Sequence, residues 1–171
     1  MSTITERRTR SGEFISYLFR LCQQDKGAAA RLRRAANPAT EYQSWEVLGG
    51  FGIKLDNDTE RRVHALIASA LANSRAEKNG SLKLGKAIFD SYPKDNDSKQ
   101  AKARLLRLLA CDSAQEACLI LRPLLKLIQS RVSQPLDYEL LLNELLWFGD
   151  KTKARWAQQF YAREEREESS L

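Results

Sequence analysis

Apolar residues recur every three or four positions along almost the whole chain, and no segment alternates between apolar and polar residues as a half-buried strand does. This spacing predicts an all-α protein. Asp25 is a candidate N-cap, and Thr40-x-x-Gln43 has the pattern of a capping box, with Gly49-Gly50 ending the helix. The helices predicted for the first half are Gly12–Gln24, Lys26–Ala36, one that follows Thr40, one that begins at Asp58, and Leu82–Ser91.

The second half of the chain has the same spacing and clearer helix boundaries. Ser113-x-x-Glu116 predicts a second capping box. Pro123 lies inside the helix that follows and predicts a kink or a break, because proline lacks the amide donor. Four helices with short connections are typical of an antiparallel bundle. They are predicted over Lys99–Cys111, from Ser113 to Val132, over Tyr138–Phe148, and after Asp150 as a cap.

The stretch PKDNDS at residues 93–98 is the most linker-like part of the chain. We therefore predict an N-terminal helical domain over residues 1–93 and a C-terminal four-helix bundle over residues 94–163. Residues 164–171 form an acidic tail, in which the segment Glu164-Glu165-Arg166-Glu167-Glu168 has a net charge of −3 and is expected to fray.

The composition excludes several classes of function. His64 is the only histidine among 171 residues, and Cys22, Cys111 and Cys118 show no CxxC spacing, so one chain cannot form a two-histidine metal site or a zinc ribbon. No phosphate-binding glycine motif or catalytic constellation is recognisable. We predict a protein that is not an enzyme and holds no metal or cofactor. The odd cysteine count and the lack of a long apolar run predict a cytoplasmic protein without a membrane span.

Basic residues are more informative. The chain has 28 Lys and Arg against 22 Asp and Glu. Lys99, Arg104 and Arg107 are predicted to lie opposite the apolar face of their helix. Cations on several helices can neutralise backbone phosphates without reading bases, although an ordinary solvated face has the same composition. The candidate phosphate contacts are Lys26, Arg31, Arg33, Arg34, Lys99, Arg104, Arg107, Arg122, Lys126, Lys151 and Lys153.

Some aromatic residues offer a second kind of contact. Tyr42, Trp45 and Tyr92 are candidates for stacking on bases, although the helical spacing of Trp45 is more typical of a core residue. Trp147 follows Leu145 and Leu146 near the end of a predicted helix, and we expect it to be buried.

Five short segments occur in a characteristic order. They are Ala30-Arg31-Leu32-Arg33-Arg34-Ala35 before Asn37-Pro38, Leu84-Gly85-Lys86-Ala87-Ile88, Ala103-Arg104-Leu105-Leu106-Arg107-Leu108-Leu109, Leu121-Arg122-Pro123-Leu124-Leu125, and Leu145-Leu146-Trp147-Phe148-Gly149. In order, spacing and total length they resemble the CasB family, the small subunit of the type I-E CRISPR Cascade surveillance complex. The similarity extends over roughly Asp25 to Tyr161.

This resemblance implies a non-catalytic protein with an N-terminal helical lobe and a C-terminal bundle. It implies two copies, arranged head to tail, in a complex with the large subunit and the backbone subunits. It also implies that basic surfaces stabilise the R-loop by contacting the displaced non-target DNA strand and the hybrid of guide RNA and target DNA. Base pairing with the guide reads the sequence, so a surface without base specificity suits the task.

The resemblance can be carried over position by position. Its basic positions match Arg33, Arg34, Lys86, Arg104, Arg122, Lys151 and Lys153, which adds Lys86 to the candidates. Trp147-Phe148 matches an aromatic pair that we interpret as core packing. Pro123 and Asp150 depart from the pattern, because each stands where a basic residue can occur.

Two other functions are compatible with the same residues. The turns after Arg34 and Ala110 resemble those of a helix-turn-helix regulator, which would protect one duplex site in a footprint. A helical adaptor that binds only protein would use its charges for solubility, and would show no salt-dependent binding to single strands.

Overall fold

The computed structural model describes residues 2–92 and 98–169, with the side chains of residues 10–92 and 99–162. Within these ranges the fold is all-α, as predicted, with one short 3₁₀ helix at Glu41–Ser44. The α-helices of the described chain are α1 (Ser2–Gln24), α2 (Lys26–Arg33), α3 (Trp45–Phe51), α4 (Asp58–Asn73), α5 (Leu84–Asp90), α6 (Ser98–Leu109), α7 (Ala114–Arg131), α8 (Tyr138–Leu146) and α9 (Asp150–Ser169).

Side-chain caps begin several of these helices. Oδ1 of Asp25 accepts a hydrogen bond from the Ala28 amide at 3.0 Å, and Oγ of Ser113 accepts one from the Glu116 amide at 3.1 Å. Both caps were predicted. The Thr40 capping box was wrong: the Thr40 hydroxyl donates to the Arg34 carbonyl at 2.6 Å, and a 3₁₀ turn follows instead of an α-helix.

Several predicted helix boundaries also differ from the structure. The first helix begins at Ser2 and not at Gly12, and the second ends at Arg33 and not at Ala36.

The residues expected to end, break or cap other helices also differ from their predicted roles. Gly49 and Gly50 lie inside α3, and the helix is capped by Gly52, whose φ of 107° is a left-handed conformation that glycine adopts without a Cβ clash. Pro123 does not break α7, because it lies on the exposed side of that helix, where water can reach the carbonyl that it leaves without a donor. Asp150 is the first residue of α9 and not its cap.

The centre of the core is α4, whose residues 63 to 72 are all buried. This helix packs against α1, α2, α7 and α8, whereas α5 packs mainly against α9. One continuous group of buried apolar side chains contains residues from both sides of the predicted boundary at residues 93–94. Residues 93–97 lie outside the described part of the chain, so the division into a lobe and a four-helix bundle stays a prediction.

Two close backbone contacts connect α5 and the segment before it to α9 and to the segment before α8. Leu82 and Leu136 form an isolated parallel bridge, next to which the Gly80 amide donates to the Leu136 carbonyl at 3.0 Å. This bridge removes Leu82 from the predicted helix, so α5 begins at Leu84. At Gly85 a Cβ would overlap the carbonyl oxygen of Trp156. Glycine at position 85 therefore lets α5 lie directly on the backbone of α9.

Candidate nucleic-acid interface

The twelve candidate cations divide by exposure. None of the twelve is buried, and none forms an ion pair with a described carboxylate. Unpaired cations in solvent keep their charge available for an external anion. The exposed candidates are Lys26, Arg33, Arg34, Lys99, Arg107, Lys126 and Lys151, and the half-buried ones are Arg31, Lys86, Arg104, Arg122 and Lys153.

In α2 the arginines have different roles. Nε of Arg33 donates to the Ala72 carbonyl at 3.3 Å, in the last turn of α4, where a cation interacts favourably with the helix dipole. The Arg33 carbonyl in turn accepts from Oγ of Ser69 at 2.8 Å. Arg33 therefore joins α2 to α4, whereas Lys26 and Arg34 extend into solvent.

Polar contacts connect α4 and α7 at both ends. Nε2 of Gln115 donates to Oγ1 of Thr59 at 3.2 Å, and Nε2 of Gln129 donates to the Ala70 carbonyl at 2.7 Å. The first turn of α7 thus meets the first turn of α4, and the last turn meets the last, so the two helices run in the same direction side by side.

Three cations follow this line of contact. On α7, Gln115, Arg122, Lys126 and Gln129 are separated by seven, four and three residues, a spacing that places them in one row along the helix. Arg122 and Lys126 therefore lie along the α4 side of α7, between its two contacts with α4. At one end, Nη1 of Arg62 donates to Oε1 of Gln115 at 3.4 Å. We call Arg62, Arg122 and Lys126 the α4–α7 basic edge.

Arg62 was missed by the sequence reasoning, because nothing in the chain distinguishes it from its neighbour. Arg61 forms ion pairs with Glu41 and Asp58, both at 2.9 Å. Arg62 forms no ion pair with a described carboxylate and is exposed. Asp58 lies within one helical turn of both arginines, so the position of Glu41, twenty residues from Arg61 in sequence, favours Arg61 as the neutralised one.

A second group of side chains connects the C-terminal ends of α5 and α7 to α6. Nε of Arg104 donates to the hydroxyl of Tyr92 at 3.1 Å, and the guanidinium of Arg131 lies 5.3 Å from the centroid of the Tyr92 ring. Arg131 also donates to the Ser91 carbonyl at 3.2 Å. We call Tyr92, Arg104 and Arg131 the Tyr92 cluster. The sequence reasoning named Tyr92 and Arg104 but missed Arg131, whose place in the last turn of α7 was the available signal.

On α6 the predicted face was wrong for one of three residues. Lys99 and Arg107 are exposed, as expected, but Arg104 is half-buried beside the core. The contact with Tyr92 explains the difference, because it draws the side chain toward α5.

At α8 and α9 the cations share their surroundings with acids. Lys151 and Arg155 line a groove together with Asp137 and Glu139. Nζ of Lys153 lies 5.5 Å from the centroid of the Phe148 ring, which gives this cation an aromatic partner. This mixed groove is less suited to a polyanion than the α4–α7 basic edge.

Two tryptophans were placed wrongly. Trp147 is 44% exposed, because α8 ends at Leu146 and Trp147 caps it, so the helical spacing no longer sets its direction. Phe148 packs against the core as expected, with its ring centroid 5.9 Å from that of Trp156. Trp45 is 38% exposed, and its indole donates to Oε2 of Glu41 at 3.1 Å.

Buried reactive groups have structural surroundings. His64 is 5% exposed and packs edge-on against Phe14, its Nδ1 donates to the Glu60 carbonyl at 2.6 Å, and burial lowers its pKa. Burial raises the pKa of the Cys118 thiol to about 12, which keeps it protonated and unreactive. Among the described residues, no three His, Cys, Asp or Glu side chains form a metal-binding group, and no helix is long and apolar enough to cross a membrane.

Comparisons with solved structures agree with this fold. CasB from Thermus thermophilus is 25% identical, with a TM-score of 0.68 over 89% of this chain and 97% of that chain. CasB from M. ruber is 25% identical, with a TM-score of 0.71 over 94% of this chain and 97% of that chain. A structure described as a CRISPR RNA-guided surveillance complex is 17% identical, with a TM-score of 0.71 over 96% of this chain and 98% of that chain, and shows likeness of fold alone.

The sequence comparison identifies the family. No protein with curated annotation is similar enough in sequence to count as a relative. A family model described as CRISPR-associated protein Cse2 matches residues 28–161, which is most of the chain. The chain therefore belongs to the CRISPR-associated Cse2 family, called CasB in its solved members, which is the non-catalytic small subunit of type I-E Cascade.

Proposed function

We propose that this protein stabilises the R-loop of a type I-E CRISPR surveillance complex through backbone contacts to the displaced DNA strand and to the guide–target duplex. The α4–α7 basic edge is the observation that carries the proposal. Arg62, Arg122 and Lys126 lie along one line without a described carboxylate partner, as phosphate contacts require. Phosphate contacts hold a strand without reading bases, which is left to the guide.

The partners form part of the same proposal. We infer that the chain assembles with a large subunit and with backbone subunits, in two copies placed head to tail, in the cytoplasm. Family membership supports this assembly and argues against a helix-turn-helix regulator. The exposed candidate cations outside the edge are available either for nucleic acid or for these subunits. They are Lys26, Arg33, Arg34, Lys99, Arg107 and Lys151.

The test compares assembled complexes that carry wild-type subunit or the double variant Arg122→Ala/Lys126→Ala. Binding of target DNA is measured at several salt concentrations. We expect intact assembly, lower affinity for every target sequence, and a salt slope flatter by about 1.4, since each lost single-strand contact removes about 0.7.

The matched control is Arg20→Ala/Lys54→Ala, which also removes one arginine and one lysine, both exposed and outside the candidate surfaces. It should leave affinity and slope unchanged. If the Arg122→Ala/Lys126→Ala complex also assembles and binds like wild type, the edge is only a solvated face, and an adaptor that binds protein alone becomes the better description.

A further inference from the structure

Tyr92 contacts two arginines that come from different helices. Its hydroxyl accepts a hydrogen bond from Nε of Arg104 on α6, and its ring lies under the guanidinium of Arg131 from the end of α7. Neither guanidinium forms an ion pair with a described carboxylate. Two positive charges are therefore held beside one aromatic ring, and no carboxylate in the described part of the chain pairs with either of them.

This arrangement is preorganised. A free arginine side chain loses much of its rotational freedom when it binds an anion, and a contact that already fixes the side chain reduces that loss. Arg131 has two such contacts, the Tyr92 ring and the Ser91 carbonyl, which Nη1 reaches at 3.2 Å. Arg104 uses Nε for Tyr92, and no described residue accepts a hydrogen bond from its two terminal nitrogens, which can donate to an anion.

The chemistry fits a nucleotide better than an acidic peptide. Arg131 is exposed, and an exposed guanidinium can stack on a base as well as pair with a phosphate. Both guanidiniums lie within the span of one tyrosine side chain, so they reach phosphates of the same nucleotide or of its direct neighbour. A carboxylate from a protein would pair with the charges but would not stack.

We propose that Tyr92 is a positioning residue, which holds Arg104 and Arg131 for one nucleotide step of the displaced single strand. This inference rests on the proposed function and gives it a second contact point, separate from the α4–α7 basic edge. Tyr92 acts through the two arginines, whose charges attract the phosphates.

The decisive variant is Tyr92→Phe in the assembled complex, because it removes only the hydroxyl and keeps the ring. Affinity for target DNA with a mixed-sequence displaced strand should fall about threefold, the effect of one ordinary hydrogen bond. The salt slope should stay as in wild type, since both cations remain. Arg104→Ala and Arg131→Ala should instead each flatten the slope by about 0.7.

A double-mutant cycle separates positioning from a general structural effect. In the Arg104→Ala background, Tyr92→Phe should have no further effect on affinity, because the residue through which it acts is gone. Tyr161→Phe is the matched control, since Tyr161 is an exposed tyrosine on α9 outside the cluster. Its affinity and slope should equal those of wild type.

The outcomes distinguish this inference from the proposed function. If Tyr92→Phe, Arg104→Ala and Arg131→Ala bind DNA like wild type while Arg122→Ala/Lys126→Ala binds weakly, the positioning role is wrong and the proposed function stands. If the two arginine variants impair incorporation into the complex but not DNA affinity, the pair binds a protein partner and the inference is also wrong. If none of the variants changes DNA binding, both proposals fail.

Discussion

Along the α4–α7 basic edge, polar side chains bridge two helices beside exposed or half-buried cations, whereas between α5 and α9 the two backbones touch directly. Gly85 makes the second contact possible, and the Gly85 amide donates to Oε1 of Gln159 at 2.9 Å.

The difference shows what the family's motifs do. In Leu84-Gly85-Lys86 the glycine is required because the backbones of α5 and α9 are in contact there. In Trp147-Phe148 it is Phe148 that packs against the core. The basic residue of Leu121-Arg122-Pro123, in contrast, lies on the edge proposed to bind phosphate. Motif residues near α9 should therefore affect stability, and those along α7 should affect DNA binding.

The largest effect is expected from tryptophan in α9. Trp156→Ala should lower the free energy of unfolding by about 3–5 kcal/mol, because its ring is completely buried. This corresponds to a fall in melting temperature on the order of 10 °C for a chain of this length. Trp147→Ala is the comparison variant and should cost less, about 1–2 kcal/mol, since that residue is 44% exposed. The melting temperatures of both variants can be measured by circular dichroism. A lower melting temperature for Trp147→Ala than for Trp156→Ala would contradict the burial of Trp156.

A smaller loss is expected at the contact between α5 and α9. Gly85→Ala should destabilise the fold by about 2–3 kcal/mol, because the added methyl overlaps the Trp156 carbonyl and the helices must separate. Gly50→Ala is the matched control: it also lies in a helix, but its Cβ would meet nothing within 4 Å. That change should stabilise the protein by about 0.5–1 kcal/mol. Equal melting temperatures for the two variants would mean that α5 and α9 are not in close backbone contact.

The smallest effect concerns pH. Burial raises the pKa of the Glu144 carboxyl, although the nearby Trp156 indole, Gln159 amide and Arg155 charge oppose the shift. The folded state then binds the proton more tightly than the unfolded state, so this contribution is full below about pH 4.5 and is lost as pH rises through the folded pKa. Glu144→Gln should raise stability at pH 8 by about 1 kcal/mol and flatten this decline, as measured by urea unfolding across pH.

His64 supplies the control of opposite sign. Its folded pKa is lowered by burial, so its contribution is present above about pH 6.5 and is lost as pH falls toward the folded pKa. His64→Asn should flatten the profile just below pH 6.5 and leave the change due to Glu144 in place. If neither variant altered the dependence of stability on pH, burial would not be shifting the pKa values of Glu144 and His64.

The parts of the fold that could be predicted depend on neighbours in sequence. Asp25, Ser113 and Asp137 start helices because each side chain accepts from an amide three residues ahead. The helices predicted around them are present. The predicted Thr40 capping box was wrong because the Thr40 hydroxyl donates instead to the Arg34 carbonyl, in the turn after α2. A pattern of four residues contains no information about such a competitor.

The sequence by itself determined the all-α class, most helices and the family, because helical spacing and the order of short motifs are local properties of the chain. Only the tertiary structure decided that Arg61 is neutralised and Arg62 is not, that Trp156 is buried and Trp147 is not, and that Arg131 joins Tyr92 and Arg104. For Arg61, Trp156 and Arg131 a deciding partner comes from a different part of the chain. Periodicity assigns a residue to a face of its own helix, but burial and ion pairing depend on what the other helices place against that face.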